Sequence, residues 1–491
     1  MAPTSLVTER ARKDSESSED EVFYKEPKNV GFKTNVFKGL VVCLVGLPAR
    51  GKTVLAHKLA KHLHWIGYKS KVFSVSYYRR KHIELYDSHE IFRIDNTEAL
   101  EIRQLSAHEA QEDATEWLQA EGDVAILDGT HATPTIRKEV YDHFVKQMGF
   151  KVLFVECICD DEKILDKNVK EILQFSKDYK HMSAEKALDD FHHKIEHYME
   201  QYETICPKEE AAYSYIKIFN EGDNMSVHRL NGFLQNQILS YVSNFRPAPR
   251  TYYFSRHGES EFNVLGRVGG DADLSCRGRK YAASLARYFN DAGISGLHIW
   301  TSEKKRTKQT AQNIKAPKEH LAALNELDAG ICEGLSYEEM QDKFPQEFAW
   351  RDQDKLRYRY PWGESYMDIM SRLGPVLLEL EQEDNILVIS HQAILRCILG
   401  YFLNKKFEEL PYINVPLHTI IKLTTFGYKC KMEVIKLDVE CVDTYRHQPK
   451  NCSVERSPED ALLTVPAHFD ALSLAALTNW VKAQPPLIEQ H

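Results

Sequence analysis

Two successive α/β domains are predicted for this 491-residue chain, and three observations predict them. Short apolar runs alternate with helical stripes through both halves, as in mainly parallel sheets flanked by helices. The chain is too long for one ordinary core. Phe245-Arg-Pro-Ala-Pro-Arg250 interrupts the alternation with two prolines one residue apart, which favour an extended linker.

Taken in order, residues 1–35 form an acidic tail. Lys13-Asp-Ser-Glu-Ser-Ser-Glu-Asp-Glu21 is polar and lacks apolar periodicity, so a disordered segment is expected, either solubilising or modified on Ser15–Ser18. The first domain, 36–248, carries strand-like runs at Leu40–Val45, Val72–Val75, Val124–Leu127, Val152–Ile158 and Tyr215–Phe219. Between them, stripes such as Leu55, Leu59 and Leu63 have the spacing of a helix packed on a sheet. The second domain, 249–447, has runs near 251–255, 297–301, 386–390, 419–424 and 432–437. Residues 448–491 lose periodicity and read as a tail, with a short helix expected over Leu472–Trp480.

Composition bounds the function. A chain 43% hydrophobic and 27% charged is ordinary for a soluble protein. It shows no run long enough to span a membrane and no basic-then-apolar signal pattern at Met1-Ala-Pro-Thr-Ser. Ten scattered cysteines suit reduced thiols, so a cytoplasmic location is expected. The net charge of −9 disfavours bulk binding to nucleic acid or an anionic membrane. Phosphorylated substrates must be held by local clusters of Arg and Lys.

The strongest motif is Gly46-Leu47-Pro48-Ala49-Arg50-Gly51-Lys52-Thr53, set between the run Leu40–Val45 and a helical stripe. The glycines let backbone N–H groups wrap a phosphate, Lys52 neutralises charge, and Thr53 offers a hydroxyl to Mg²⁺; the start of a helix adds its positive dipole end. A nucleoside triphosphate site, for ATP with Mg²⁺, is expected here. Asp128 ends the run Val124–Leu127 at the ligand edge of such a sheet. It could hold Mg²⁺ with Thr53, accept a proton from an attacking hydroxyl, or simply be solvated.

A different phosphate chemistry follows. Arg256-His257-Gly258-Glu259 and Ser390-His391 each end a strand-like run, so two imidazoles and a guanidinium are expected at one sheet edge. That arrangement suits attack on phosphorus by His257, with His391, Arg256 and Arg306 stabilising the equatorial oxygens. No metal-ligand set accompanies it, which points to a metal-independent phosphatase or mutase. Arg351 to Tyr360 interleaves cations and aromatics. A solvated face or a single-stranded nucleic-acid site could look alike; a clamp for a bisphosphorylated sugar fits the acidic chain better.

In this order, with Asn325-Glu326-Leu-Asp-Ala-Gly330, Arg351-Asp-Gln-Asp-Lys355 and Gly363-Glu-Ser365 between, these motifs resemble the bifunctional 6-phosphofructo-2-kinase/fructose-2,6-bisphosphatase family over residues 36–447. The resemblance implies a P-loop kinase-type parallel sheet followed by a histidine phosphatase, or phosphoglycerate mutase-like, α/β sandwich. It implies synthesis of fructose 2,6-bisphosphate from ATP and fructose 6-phosphate in the first half, its hydrolysis at C2 in the second, and a homodimer joined through the kinase halves. In the phosphatase half, Arg256, His257, Glu326 and His391 carry the chemistry, Glu326 as the proton donor. Asn263, Gly269, Arg306, Tyr337, Arg351, Lys355, Tyr366, Gln392 and Arg396 bind substrate. In the kinase half, Lys52, Asp128 and Cys159 are catalytic, the loop 46–53 and Asn168 hold the nucleotide, and Arg79, Arg103, Thr130, Lys194 and Tyr198 bind the sugar phosphate.

The phosphatase positions fit the family pattern without departure. The kinase half departs on its sugar side: a family Lys is Leu173, a family Arg is Lys194, and the Asp128-Gly-Thr-His131-Ala-Thr-Pro134 segment puts Ile136 where an Arg is usual, with Arg137 adjacent. A weakened kinase beside a competent phosphatase is therefore expected. The alternatives are a phosphatase with an ATP-binding pseudokinase half, a nucleic-acid end-processing enzyme, and a binding or scaffold protein.

Overall fold

The computed structural model describes residues 39–83 and 86–448. The acidic tail and the Leu472–Trp480 helix expected from sequence lie outside the described residues. Two six-stranded sheets follow one another. The first holds β1 (Leu40–Val45), β2 (Ser70–Ser74), β3 (Val124–Asp128), β4 (Lys151–Ile158), β5 (Ser214–Phe219) and β6 (Asn224–His228) in the order β2-β3-β1-β4-β5-β6. All pairings are parallel except β5 with the edge strand β6. β1 and β3 are wholly buried, as expected of a strand covered by helices on both faces. Around them lie α1 (Lys52–Trp65), α2 (Val75–His82), α3 (Thr97–Ala120), α4 (Pro134–Tyr141), α5 (Glu162–Phe175), α6 (Ala184–Met199) and α7 (Phe233–Asn244).

The second sheet comprises β7 (Thr251–Arg256), β8 (Leu297–Thr301), β9 (Lys318–His320), β10 (Asn385–Ser390), β11 (Thr419–Phe426) and β12 (Lys429–Lys436), ordered β12-β11-β7-β10-β8-β9. β7, β10, β8 and β9 run parallel, while β11 is antiparallel to both β7 and the edge strand β12. Its helices are α8 (Glu261–Val264), α9 (Cys276–Ala292), α10 (Lys305–Ala311), α11 (Tyr337–Lys343), α12 (Pro345–Gln353), α13 (Tyr366–Leu380) and α14 (Gln392–Phe402). The sheet core is carried by inward residues such as Phe254, Val388 and Leu423, packed under α13 and α14.

The proline-rich segment between the sheets is packed in place. Phe245 joins the core of the first half, and Arg250 donates to the carboxylate of Asp384 (2.8 Å). Helix α1 bridges the halves: Trp65 belongs to the core of the second, and Lys58 donates to Glu381 at 2.8 Å. Lys61 lies over the rings of Tyr401 (4.4 Å) and Phe402 (5.3 Å).

Candidate active sites

The phosphate loop turns from β1 into α1 through Gly46. Gly46 has φ 131°, and a Cβ there would meet the Cys157 carbonyl oxygen at 2.4 Å, so only glycine lets the loop pass β4. Lys52 is buried and donates to the Leu47 carbonyl (2.6 Å), closing the cation onto its own loop; burial pushes its amine down to about 8. Thr53 donates to both carboxylate oxygens of Asp128 (3.2 and 3.0 Å), and Ser74, which sequence reasoning missed, donates to the same carboxylate (3.1 Å). Two hydroxyls and a carboxylate at a strand edge are the oxygen donors Mg²⁺ prefers. Asn168 donates to the Ala49 carbonyl (3.1 Å) and to Glu221 (3.2 Å). The Gly46 N–H donates to the Thr130 carbonyl (2.9 Å). Cys159 lies just past β4, its thiol pushed up by burial.

Phe92, unremarked in the sequence, is a buried ring around which several of the residues expected to bind the sugar phosphate gather. Arg79 lies 5.2 Å and Lys194 4.4 Å from its ring centre, and the Tyr198 ring is 5.5 Å away. Arg103 donates to the Phe92 and Arg93 carbonyls (3.2 and 3.0 Å). Arg79 is ion-paired with Asp178, both buried. Burial, with Arg79 beside it, pushes the Lys194 amine down to about 7. Leu173 instead packs with the apolar cluster around Tyr86, Phe92 and Phe191. Ile136 is exposed on α4. Arg137 cannot stand in for an arginine at that position: it is fully buried, donating to Glu210 through Nε (2.7 Å) and Nη2 (2.9 Å) and to the His131 carbonyl (3.1 Å).

In the second half, the ends of β7 and β10 bring His257 and His391 together, their ring centres 5.1 Å apart. The His257 Nδ1 lies 2.7 Å from the Gly258 carbonyl, which can only accept; Nδ1 therefore carries the proton and Nε2 keeps its lone pair. Burial, then Arg306 and Arg256, hold the His257 imidazole well below its usual range. The same causes act on His391, whose Nε2 lies 2.7 Å from the Ser302 hydroxyl and whose Nδ1 is buried without a partner among the described residues. Glu326 accepts from the N–H groups of Gln392 (3.1 Å) and Ala393 (3.2 Å), the first turn of α14. It raises the pKa of Arg256 and Arg306 against the lowering effect of their burial, so it shares their electrostatic neighbourhood.

Gly269 has φ 69°, and a Cβ there would collide with the Glu333 carboxylate; that tight loop presents the Gly270 carbonyl to Arg306 (2.8 Å). Asn263 closes a capping box with Ser260. Glu259 is structural, accepting from Ser275 (2.6 Å) and Arg277 (2.9 Å).

A second cation cluster adjoins the first. Arg351 donates to Tyr360 (2.5 Å) and Tyr337 (3.3 Å), Arg396 to Tyr366 (3.1 Å), and Lys355 to the Pro411 carbonyl (3.3 Å). Lys355 is held well below its ordinary range by burial and by Arg396 and Arg351. The Gln392 amide nitrogen is buried without a partner among the described residues. Most of the predicted phosphatase residues thus gather in two adjoining clusters; Ser302 and Glu333 were missed because they meet His391 and Gly270 from far away in sequence.

Comparison with known proteins agrees with these two geometries. A family model described as 6-phosphofructo-2-kinase matches residues 28–249, and one described as the histidine phosphatase superfamily (branch 1) matches 252–438. The chain is 49% identical over 430 residues to a protein of Aquarana catesbeiana named 6-phosphofructo-2-kinase/fructose-2,6-bisphosphatase, covering 87% of this chain and 91% of that one. It is 48% identical, with the same coverage, to the Homo sapiens protein named 6-phosphofructo-2-kinase/fructose-2,6-bisphosphatase 1. The crystal structure of the α-ribazole phosphatase from Shigella flexneri aligns with 40% of this chain and all of its own, at 21% identity and a TM-score of 0.35, a likeness too distant to carry an argument. With a nucleotide loop in one half, a histidine pair in the other and both family models matched in sequence, the chain belongs to the bifunctional 6-phosphofructo-2-kinase/fructose-2,6-bisphosphatase family.

Proposed function

We propose that this protein makes and hydrolyses fructose 2,6-bisphosphate, with hydrolysis its better-equipped activity. The observation that carries the reading is the neutral His257 beside His391, with Nε2 free and two guanidiniums at hand. Nε2 attacks the C2 phosphorus as the bond to the sugar oxygen breaks; Arg256, Arg306 and His391 hold the equatorial oxygens. Glu326 gives its proton to the departing alkoxide. It then takes one from the water that attacks the phosphohistidine, which restores His257 and releases phosphate. The cations around Tyr337 hold the phosphate on C6. Neither step needs a metal.

In the kinase half, the loop 46–53 and Asn168 are suited to ATP, and Thr53 and Asp128 would hold Mg²⁺, which when bound would supply positive charge against the phosphates. Arg79, Arg103, Thr130, Lys194 and Tyr198 would hold fructose 6-phosphate, Asp128 would receive the proton of the attacking hydroxyl, and Cys159 lines the nucleotide side. Nine described cysteines are free thiols, which supports a reducing, cytoplasmic setting, and no described helix is long and apolar enough to cross a membrane. The family resemblance supports a homodimer.

A second reading, a nucleotide-binding half without transfer activity, is favoured by Leu173 in the apolar cluster and by Arg137 locked to Glu210. Losing one charge-assisted phosphate contact costs ~1.5–3 kcal/mol. The test uses His257→Ala protein, which cannot consume product, given Mg-ATP and fructose 6-phosphate beside a Lys52→Ala control. Fructose 2,6-bisphosphate above that control establishes the kinase. None, from protein that binds ATP, establishes the second reading.

A further inference from the structure

Beyond β12 the chain crosses back over the phosphatase site. The Val439 carbonyl meets His418 Nδ1 (3.1 Å), and the Val442 N–H donates to Glu259 (2.8 Å). Thr444 accepts from Arg256 Nη1 (2.7 Å), and the Tyr445 hydroxyl donates to the Tyr412 carbonyl (3.1 Å). Docked at these points, the segment delivers Arg446 to the second cation cluster. Its guanidinium lies 4.0 Å from the centre of the Tyr337 ring, the ring on whose hydroxyl Arg351 also donates.

Both terminal nitrogens of Arg446 are buried, yet neither has a hydrogen-bond partner among the described residues. The Asp352 carboxylate stands 3.7 Å from Nη2 and already takes a 2.9 Å bond from Arg351. Two buried Nη groups with no hydrogen bond, and only a loose ion pair to Asp352, are costly unless an acceptor arrives. Beside the burial that holds Lys355 down, Arg396, Arg351 and Arg446 all act on it, and the same three lower Tyr337 against the upward push of its burial, so these groups lie close together. A phosphate there would supply acceptors for all of them, and a planar fork suits it better than a point charge.

We propose that Arg446 is a substrate-binding residue of the phosphatase, taking the non-reacting phosphate of the bisphosphorylated sugar alongside Arg351, Lys355 and Arg396. The carboxyl-terminal segment is thereby part of the site: Thr444 sits on Arg256 at the reacting phosphate, and Arg446 closes on the remote one. This rests on the phosphatase reading above and adds a specificity determinant to it.

The test compares full-length wild type, Arg446→Ala and Arg446→Lys on fructose 2,6-bisphosphate and on fructose 2-phosphate, which keeps the reacting group and lacks the remote phosphate. The alanine variant should raise KM for the bisphosphate ~10- to 100-fold, the worth of one charge-assisted contact. Its kcat/KM preference for the bisphosphate over the monophosphate should shrink by the same factor. The lysine variant should recover part of that preference, since it keeps charge without the fork. Equal losses on both substrates, or none on either, would overturn the assignment in favour of a merely structural Arg446. Wild type inactive on both would instead overturn the phosphatase reading, and this inference with it.

Discussion

Lys58 of α1 and Glu381, just past α13, form an ion pair across the two halves at 2.8 Å, with side chains only 5% and 1% exposed. Lys58 lies six residues from Lys52, on the helix that opens at the phosphate loop. Removing one partner leaves an uncompensated buried charge. Lys58→Met should therefore cost about 3–5 kcal/mol, whereas Lys58→Met with Glu381→Leu should recover most of it. Urea unfolding of wild type, both single variants and the double variant measures this. Single variants as stable as wild type would mean the contact is solvated.

Acid should loosen the kinase half and the interface early. His62, stacked on Tyr241, and His131, whose Nδ1 donates to the Leu44 carbonyl (2.6 Å), are both pushed down to about 4 by burial. In the unfolded chain both titrate near ~6.5. The folded state therefore has its full stability above that value and loses it as pH falls towards 4, by up to on the order of 3 kcal/mol for each histidine. His62→Phe should flatten the decline in urea midpoint between pH 7 and pH 5. A decline as steep as wild type would clear His62 of the effect.

Lys194 predicts a pH-dependent sugar affinity. With its amine near 7 in the empty site, the charge that would meet a phosphate is being lost above neutrality. KM for fructose 6-phosphate should rise from pH 7 to pH 9. Lys194→Arg, always charged, should lower KM and remove most of that slope. A parallel slope in both proteins would place the titration elsewhere.

Glu326 offers a leaving-group test. Glu326→Gln keeps shape but cannot give a proton, so phosphohistidine formation from fructose 2,6-bisphosphate should slow ~10²- to 10⁴-fold. With p-nitrophenyl phosphate, whose phenolate departs without protonation, the loss should be far smaller. An equal loss on both substrates would make Glu326 only a cap for α14.

The strands that carry chemistry were legible because each is a continuous apolar run ending in a reactive residue: Val124–Leu127 before Asp128, Ile386–Ile389 before Ser390-His391. The edge strands β6 and β9 escaped notice. Asn224–His228 and Lys318–His320 have a neighbour on one side only and need no apolar run. The phosphate loop and both histidines were readable from local spacing. Phe92, Ser302 and Arg446 were not, since each reaches its site from a distant segment and no local pattern marks it. Arg137 looked like a spare cation one position from Ile136, yet helical geometry turns neighbouring residues to different faces, and only burial reveals its bond to Glu210.

The most direct test of the account is chemical quench of the wild-type protein with fructose 2,6-bisphosphate labelled in the C2 phosphate. The account predicts an acid-labile, base-stable phosphoenzyme on His257 that forms and decays fast enough to carry turnover, and that is absent, along with hydrolysis, from His257→Ala. Hydrolysis persisting at the wild-type rate in that variant, or label on any other residue, would contradict it.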